Sequence, residues 1–185
     1  MIPKLSRFAV ALACAPFVFA ADQPAPTTAN VIDSSLSGVE REFVSLVEAM
    51  PANKMEFAPT AGEFKGVRTF SQQAKHVAYV LLEVSSAALG EKNPSVTAAN
   101  ENGPDTVRTK DQIVRYVKDA FSVAHRAAQS LTAQNATEQV ASPFDNGKMT
   151  KLGAVNIAIW HSFDHYGQMV VYARMNGIVP PASRQ

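Results

Sequence analysis

Four segments of the chain have apolar residues at the spacing of an amphipathic helix. They cover residues 36–50, 69–89, 109–133 and 150–176. Each segment has one apolar face, and none shows the sustained alternation of apolar and polar residues that is typical of strands. Four helices with one apolar face each can bury those faces against one another. The pattern therefore predicts an all-α four-helix bundle.

Capping residues mark the ends of these helices. Thr69 with Gln72, and Thr109 with Gln112, match the capping box, in which each side chain binds the other residue's backbone N–H. Gly90 follows the second segment as a helix stop. The buried faces predicted for the second and third helices are Phe70, Ala74, Val77, Leu81, Val84 and Ala88, and Ile113, Tyr116, Val117, Ala120, Phe121 and Ala124.

The connections at residues 52–68 and 90–108 are long for loops between helices. Loops of this size in a compact domain tend to be functional or to wrap one end of it. Both connections flank the second helix, which carries His76.

The first twenty residues resemble a secretory signal peptide. Lys4 and Arg7 precede an apolar stretch at residues 8–19, and Ala20 offers a small-residue cleavage site. The stretch is too short to span a bilayer, although an uncleaved N-terminal anchor is the alternative. We predict cleavage after residue 20, a flexible linker rich in Pro, Thr and Ala at 21–32, and one domain at 33–185. The mature protein is then periplasmic or secreted, with no membrane attachment.

Cleavage changes both the charge and the available chemistry. Cys14 is the only cysteine, so the mature chain has no thiol nucleophile, thiolate zinc site or CxxCH haem attachment. The remaining 15 basic and 16 acidic residues are nearly balanced, and no basic patch indicates nucleic-acid binding. Any function must therefore come from a local site.

Histidines are the candidate metal ligands. His161 and His165 are four residues apart, which places both imidazoles on one face of a helix. His76 lies near the start of the second helix, and the three rings can meet on one cation if these helices pack together. His125 has no ligand-type residue four positions away, which favours a hydrogen-bonded residue at the edge of the core.

Three known metal motifs do not match these residues. A di-iron bundle needs Glu-x-x-His on two helices, and no histidine here follows that pattern. A His-Glu-x-x-His protease motif has glutamate where this chain has Ser162. The stretch from His161 to His165 echoes the inverted motif, with Asp164 as the acid, but only 20 residues follow it.

Two stretches resemble the DinB/YfiT-like four-helix-bundle superfamily. Residues 67–78, Val-Arg-Thr-Phe-Ser-Gln-Gln-Ala-Lys-His-Val-Ala, look like the start of that family's second helix with its metal histidine. Residues 161–168 are similar to its His-x-x-x-His-x-Gly-Gln motif, and residues 174–180 to its Arg-x-x-Gly-x-x-Pro tail. The likeness covers roughly residues 36–183.

The resemblance implies a divalent metal, namely zinc, nickel or iron, held by His76, His161 and His165 with positions left open for water or substrate. Family members with known activity include S-transferases and isomerases that use cytosolic low-molecular-weight thiols, whereas we predict that this chain is exported. Gln168 lies close to the His161/His165 face. It could reach the open position, hold a ligand ring, or make an ordinary hydrogen bond between helices.

The leading functional hypothesis is an exported DinB-like metalloprotein that performs metal-assisted hydrolysis or group transfer on a small molecule. A thiol S-transferase-like activity is one form of it. The catalytic side chain is unknown, since nothing in the sequence places the candidate bases Glu83 and Glu40. The alternative is a non-catalytic metal-binding or interaction module, for example a homodimer joined through helix faces. A metal-free relic of the fold is the third hypothesis.

Overall fold

Four long helices and one short hairpin form the fold. A computed structural model of the chain describes residues 25–60, 62–92 and 101–184. In this part the helices are α1 (Thr28–Ala49), α2 (Phe70–Leu89), α3 (Lys110–Gln129) and α4 (Lys151–Met175). The prediction of an all-α four-helix bundle is confirmed. Among the described helices, none combines the length and apolar character needed to cross a bilayer.

Both predicted capping boxes are present. The Thr69 hydroxyl accepts from the Gln72 backbone N–H, and the Gln72 side chain accepts from the Thr69 N–H at 2.9 Å. Thr109 and Gln112 make the same reciprocal pair at the start of α3. At the other end of α2, Gly90 adopts a left-handed conformation with φ of 70°, which favours glycine. Local sequence therefore determines where α2 begins and ends.

Helix α1 begins at Thr28, well before the predicted start at residue 36. The prediction of a flexible linker at 21–32 is therefore wrong for residues 28–32, which are helical. The Thr27 hydroxyl caps the helix by accepting from the Asn30 N–H, and Asp33 in the second turn contacts α3. Residues 21–24 and the predicted leader lie outside the described residues.

A two-stranded hairpin between α3 and α4 was not predicted. Strands β1 (Gln139–Ala141) and β2 (Lys148–Thr150) pair antiparallel, with Val140 opposite Met149. Three residues per strand are too few to produce a visible alternation in the sequence. Backbone bonds from Lys151 to Glu138 and from Leu152 to Ala136 hold the hairpin against the start of α4.

The apolar faces of the helices form the core as predicted. None of the six predicted residues on α2 is more than 2% exposed, and on α3 only Tyr116 is less than fully buried. Phe43 of α1 packs against Phe121 of α3 with ring centroids 6.0 Å apart. Burial of each large apolar side chain contributes about 1.5–3 kcal/mol, so these faces supply most of the driving force for folding.

The order of the helices around the bundle explains the first long connection. Helix α2 packs against α3 and α4, and α1 packs against the same two helices, so α1 and α2 occupy opposite corners. The chain from 50 to 69 must therefore cross one end of the bundle instead of joining neighbours. This arrangement leaves one face of α2 in contact with α4.

His125 joins α1 to α3 and lies apart from the other histidines. Its Nδ1 contacts the Asp33 carboxylate, and its Nε2 lies 3.1 Å from the Glu40 carboxylate. Partial burial lowers the pKa of His125, but the bonds to the two carboxylates outweigh it, so the net pKa is raised. The expected hydrogen-bonded role for His125 agrees with this geometry, and Glu40 is engaged here.

Stability should depend on pH through His125. Since its folded-state pKa is raised, the contact stabilises fully below the unfolded pKa of about 6.5 and weakens as the pH rises through the folded value. The uncharged variant His125→Gln should lose about 1 kcal/mol at mildly acidic pH and less under alkaline conditions, after allowance for solvent screening. Urea unfolding at several pH values measures this, and an equal loss at every pH would contradict it.

Candidate metal centre

Three histidines from two helices meet where α2 packs against α4. His76 lies in the second turn of α2, and His161 and His165 lie one turn apart on α4. One ring nitrogen from each lies within 4.8 Å of the others. The ring centroids are 4.5 to 5.1 Å apart, so the rings face a common centre. The structure therefore brings together all three residues singled out as candidate ligands.

Hydrogen bonds on the outer side of two rings select their tautomers. His76 Nδ1 lies 2.6 Å from the Glu101 carbonyl oxygen, and His165 Nδ1 contacts the Gln73 side-chain oxygen. Because both oxygens can only accept, each Nδ1 carries the proton and donates. The Nε2 atom of each ring is then unprotonated and free to donate its lone pair to a cation.

His161 supplies the most direct test of whether a metal fits. Its Nε2 is buried, and no hydrogen-bond partner for it lies among the described residues. A buried polar atom without a partner costs about 1–3 kcal/mol, so such atoms are rare in folded proteins. Three imidazoles facing one point are a ligand set for zinc or a similar divalent ion. The residues present therefore fit a bound metal.

All three rings are held in the neutral form that metal binding requires. Burial is the main cause, and it lowers the pKa of His76 and brings the pKa of His161 and of His165 to about 4. The neighbouring histidines disfavour further positive charge on His161 and His165. The nearby Arg68 guanidinium acts in the same direction on all three rings. A cation can therefore bind without first displacing protons from these rings near neutral pH.

Two glutamines and an aspartate hold His165 in place. The Gln73 amide donates to the Gln168 side-chain oxygen at 2.9 Å, which turns the Gln73 oxygen toward His165. The Gln168 amide in turn donates to Asp164 at 3.2 Å. Of the roles considered for Gln168, the structure shows a hydrogen bond between helices, to Gln73, which itself contacts His165. Sequence reasoning missed Gln73, although its position three residues before His76 places both on one face of α2.

Both long connections reach this centre. Arg68, at the end of the first, donates to Asn102 at 2.8 Å and forms a 3.2 Å ion pair with Glu101, both in the second. The Tyr172 hydroxyl donates to the Arg68 carbonyl and ties this junction to α4. The described parts of the two loops therefore meet at one end of the bundle, beside His76.

Two cavities lie beside the histidines. One, of about 250 Å³, is lined by His76 and His161 and also by Glu83. The other, of about 450 Å³, is polar and is lined by Arg68 together with Gln73 and Gln168, among others. Of the two glutamates considered as general bases, Glu83 therefore lies near the centre and Glu40 does not.

Comparison with known proteins identifies relatives by family and by fold. The model of the DinB superfamily matches residues 35–169. No curated protein matches the chain significantly.

Solved structures of low sequence identity share the fold. A DinB-like protein from Bacillus cereus ATCC 10987 has a TM-score of 0.64 at 17% identity, covering 81% of this chain and 93% of its own. The DinB-like protein YjoA from Bacillus subtilis has a TM-score of 0.58 at 16% identity, covering 84% of this chain and 100% of its own. YfiT from Bacillus subtilis has a TM-score of 0.61 at 15% identity, covering 86% of this chain and 94% of its own. That protein is described as a probable metal-dependent hydrolase with an unusual four-helix bundle topology.

Replacement of Gln73 tests the support of His165. Gln73→Leu keeps the side-chain size but leaves the Nδ1–H of His165 without an acceptor, so zinc affinity should fall by about ten- to a hundredfold. Competition with a chromogenic chelator measures the affinity. The control Gln129→Leu removes a glutamine that bonds only to Asp33 on α1 among the described residues, and it should bind zinc like the wild type. Unchanged affinity in Gln73→Leu would show that Gln73 does not support the centre.

Proposed function

The chain belongs to the DinB superfamily, and from this premise we propose that it is a metal-dependent hydrolase or group transferase for a small molecule. His76, His161 and His165 hold the divalent cation, which is zinc, nickel or iron. The observation that carries the proposal is the buried, unpartnered Nε2 of His161 beside two histidines whose outer nitrogens are already bonded.

Three protein ligands favour a catalytic centre over a structural one. Structural zinc sites usually have four protein ligands, whereas catalytic sites keep a position for water or substrate. When bound, the cation supplies Lewis-acid polarisation of an acyl or phosphoryl oxygen and activation of water. Hydrolysis is favoured over thiol transfer because the signal-like residues 1–20 direct the protein to the periplasm or outside the cell, away from cytosolic thiols. The description of YfiT as a probable metal-dependent hydrolase points the same way.

Residues around the centre have separate roles in this proposal. Gln73 and the Glu101 carbonyl fix the orientation of two histidine rings. Arg68, 31% exposed at its side chain, offers positive charge to an anionic group that develops on the substrate. Histidines held in fixed orientations with a positive charge close by are the arrangement that acyl or phosphoryl transfer needs.

Activity should depend on His161 and not on His125. We expect the zinc-loaded mature protein to hydrolyse members of a panel of small esters, lactones and phosphoesters. His161→Ala should lower kcat/KM by at least about a hundredfold, because the metal and its polarising effect are lost. His125 lies apart from the centre, in the contact between α3 and α1. The variant His125→Gln should therefore retain wild-type activity.

Cobalt substitution tests the open position independently of substrate. Adding acetohydroxamate to the cobalt form should shift its visible absorption bands, since an accessible position would take the new ligand. A spectrum that does not change with this ligand would contradict an open catalytic site and favour a purely structural metal.

A second candidate function is a non-catalytic, dimeric metal-binding module. Its support is an exposed apolar stripe on α4 that consists of Phe163, Val171 and Met175, 42–57% exposed, with Gly167 between them. A Cβ at Gly167 would meet no atom of the described residues within 4 Å, so no close contact with that part of the chain accounts for this glycine. A second copy that packs closely along α4 would account for a glycine at this position.

Substitution on the stripe tests the dimer. Val171→Glu should convert the protein from dimer to monomer in light scattering after gel filtration, because a charge would be buried at the interface. Val31→Glu places the same change at a similarly exposed valine on α1 and should leave the dimer intact. A monomeric wild type would rule out this second function in its dimeric form.

A further inference from the structure

The smaller cavity beside the centre has an aromatic and acidic lining. The rings of Tyr79, Phe144 and Trp160 line it together with Glu83 and Glu101. Phe144 comes from the hairpin turn, and its side chain and that of Trp160 are each more than half exposed. No lysine or arginine is among the described residues that line this cavity. The lining therefore brings aromatic residues and carboxylates together in one small space.

Among the described residues, Glu83 is the carboxylate of this cavity that has no cationic partner. Glu101 pairs with Arg68, whereas no lysine or arginine of the described residues forms an ion pair with Glu83. Burial is the main cause that raises the pKa of the Glu83 carboxyl, and the charge of Glu101 adds to it, while a bond from the Tyr79 hydroxyl partly offsets both. A half-buried carboxylate without a counter-ion is unfavourable, and a ligand cation would offset this cost.

Aromatic rings around a carboxylate are suited to organic cations. An ammonium group within about 6 Å of a ring face is attracted by the ring quadrupole, and rings of tryptophan and tyrosine are the strongest partners. Exposed ring surface on Phe144 and Trp160 would also be covered by a bound apolar group. Benzoate-like anions would instead face Glu83 without compensation.

We infer that the cavity between α2, α4 and the hairpin turn binds the ammonium group of a small organic amine, with Glu83 as counter-ion and the three rings as walls. Since His76 and His161 line the same cavity, the rest of that molecule lies next to the histidine centre. The inference deepens the proposed function by naming a cationic amine as the substrate class. Only this assignment of a substrate rests on the proposed function; the binding of the amine does not. A volume of about 250 Å³ suits a ligand below drug size.

Tryptophan fluorescence measures this binding directly. Trp160 is the only tryptophan of the chain, so a ligand in the cavity should change the emission of the whole protein. Benzylammonium, neutral benzyl alcohol and anionic benzoate have similar shapes and differ in charge. We expect benzylammonium to bind at least about tenfold more tightly than benzyl alcohol, and benzoate more weakly than both.

Variants assign the preference to Glu83. Glu83→Gln should reduce the benzylammonium affinity to that of benzyl alcohol and leave the alcohol affinity unchanged. Glu48→Gln changes a carboxylate that pairs with Lys118 on another face and should bind all probes like the wild type. If Glu83→Gln does not fold, the ranking of the three probes on the wild type still decides the question.

Three results would overturn the inference: equal binding of benzylammonium and benzyl alcohol, tighter binding of benzoate, or no saturable change in emission. Titrations with metal-free and zinc-loaded protein separate it from the proposed function. If the protein prefers the ammonium probe but its hydrolysis does not depend on His161, only the proposed function is contradicted. Hydrolysis that depends on His161 without this preference would contradict the amine site alone.

Discussion

The contact between α2 and α4 is the feature on which the site depends. It places His76 against His161 and His165, and it also positions Gln73 of α2 beside Gln168 of α4. Since α1 and α2 stand at opposite corners, the chain must cross the end of the bundle before α2 begins. That crossing delivers Arg68 to the centre, where it meets Glu101. The helix order thus determines which loop residues surround the histidines.

The hydrogen bonds that buried polar atoms make or lack explain the rest of the centre. The outer nitrogens of His76 and His165 have carbonyl oxygens as acceptors, so these rings are fixed in orientation and tautomer. The Nε2 of His161 has no such partner among the described residues. Core packing supplies enough stability to tolerate that loss, and a bound cation would remove it. The unfavourable atom is thus best explained as part of a binding site.

Features encoded by neighbouring residues could be predicted from the sequence. The capping boxes at Thr69 and Thr109 and the pairing of His161 with His165 on one face each depend on residues within one helical turn. The contact of Asp33 with His125, which holds the early part of α1 to another helix, could not be predicted, although the Thr27 cap that begins this helix is local. The role of Gln73 could not be predicted either, because its partner His165 is distant in the chain. These contacts arise only once the helices have packed.

The central claim is that the three histidines form one metal centre, and metal content tests it most directly. Mature protein purified without a histidine tag would be measured by elemental analysis beside the variant His76→Ala/His161→Ala/His165→Ala. We predict about one zinc, nickel or iron ion per chain in the wild type and only traces in the variant. Equal trace amounts in both proteins, even after reloading with each metal, would contradict the claim and assign the histidines a purely structural role.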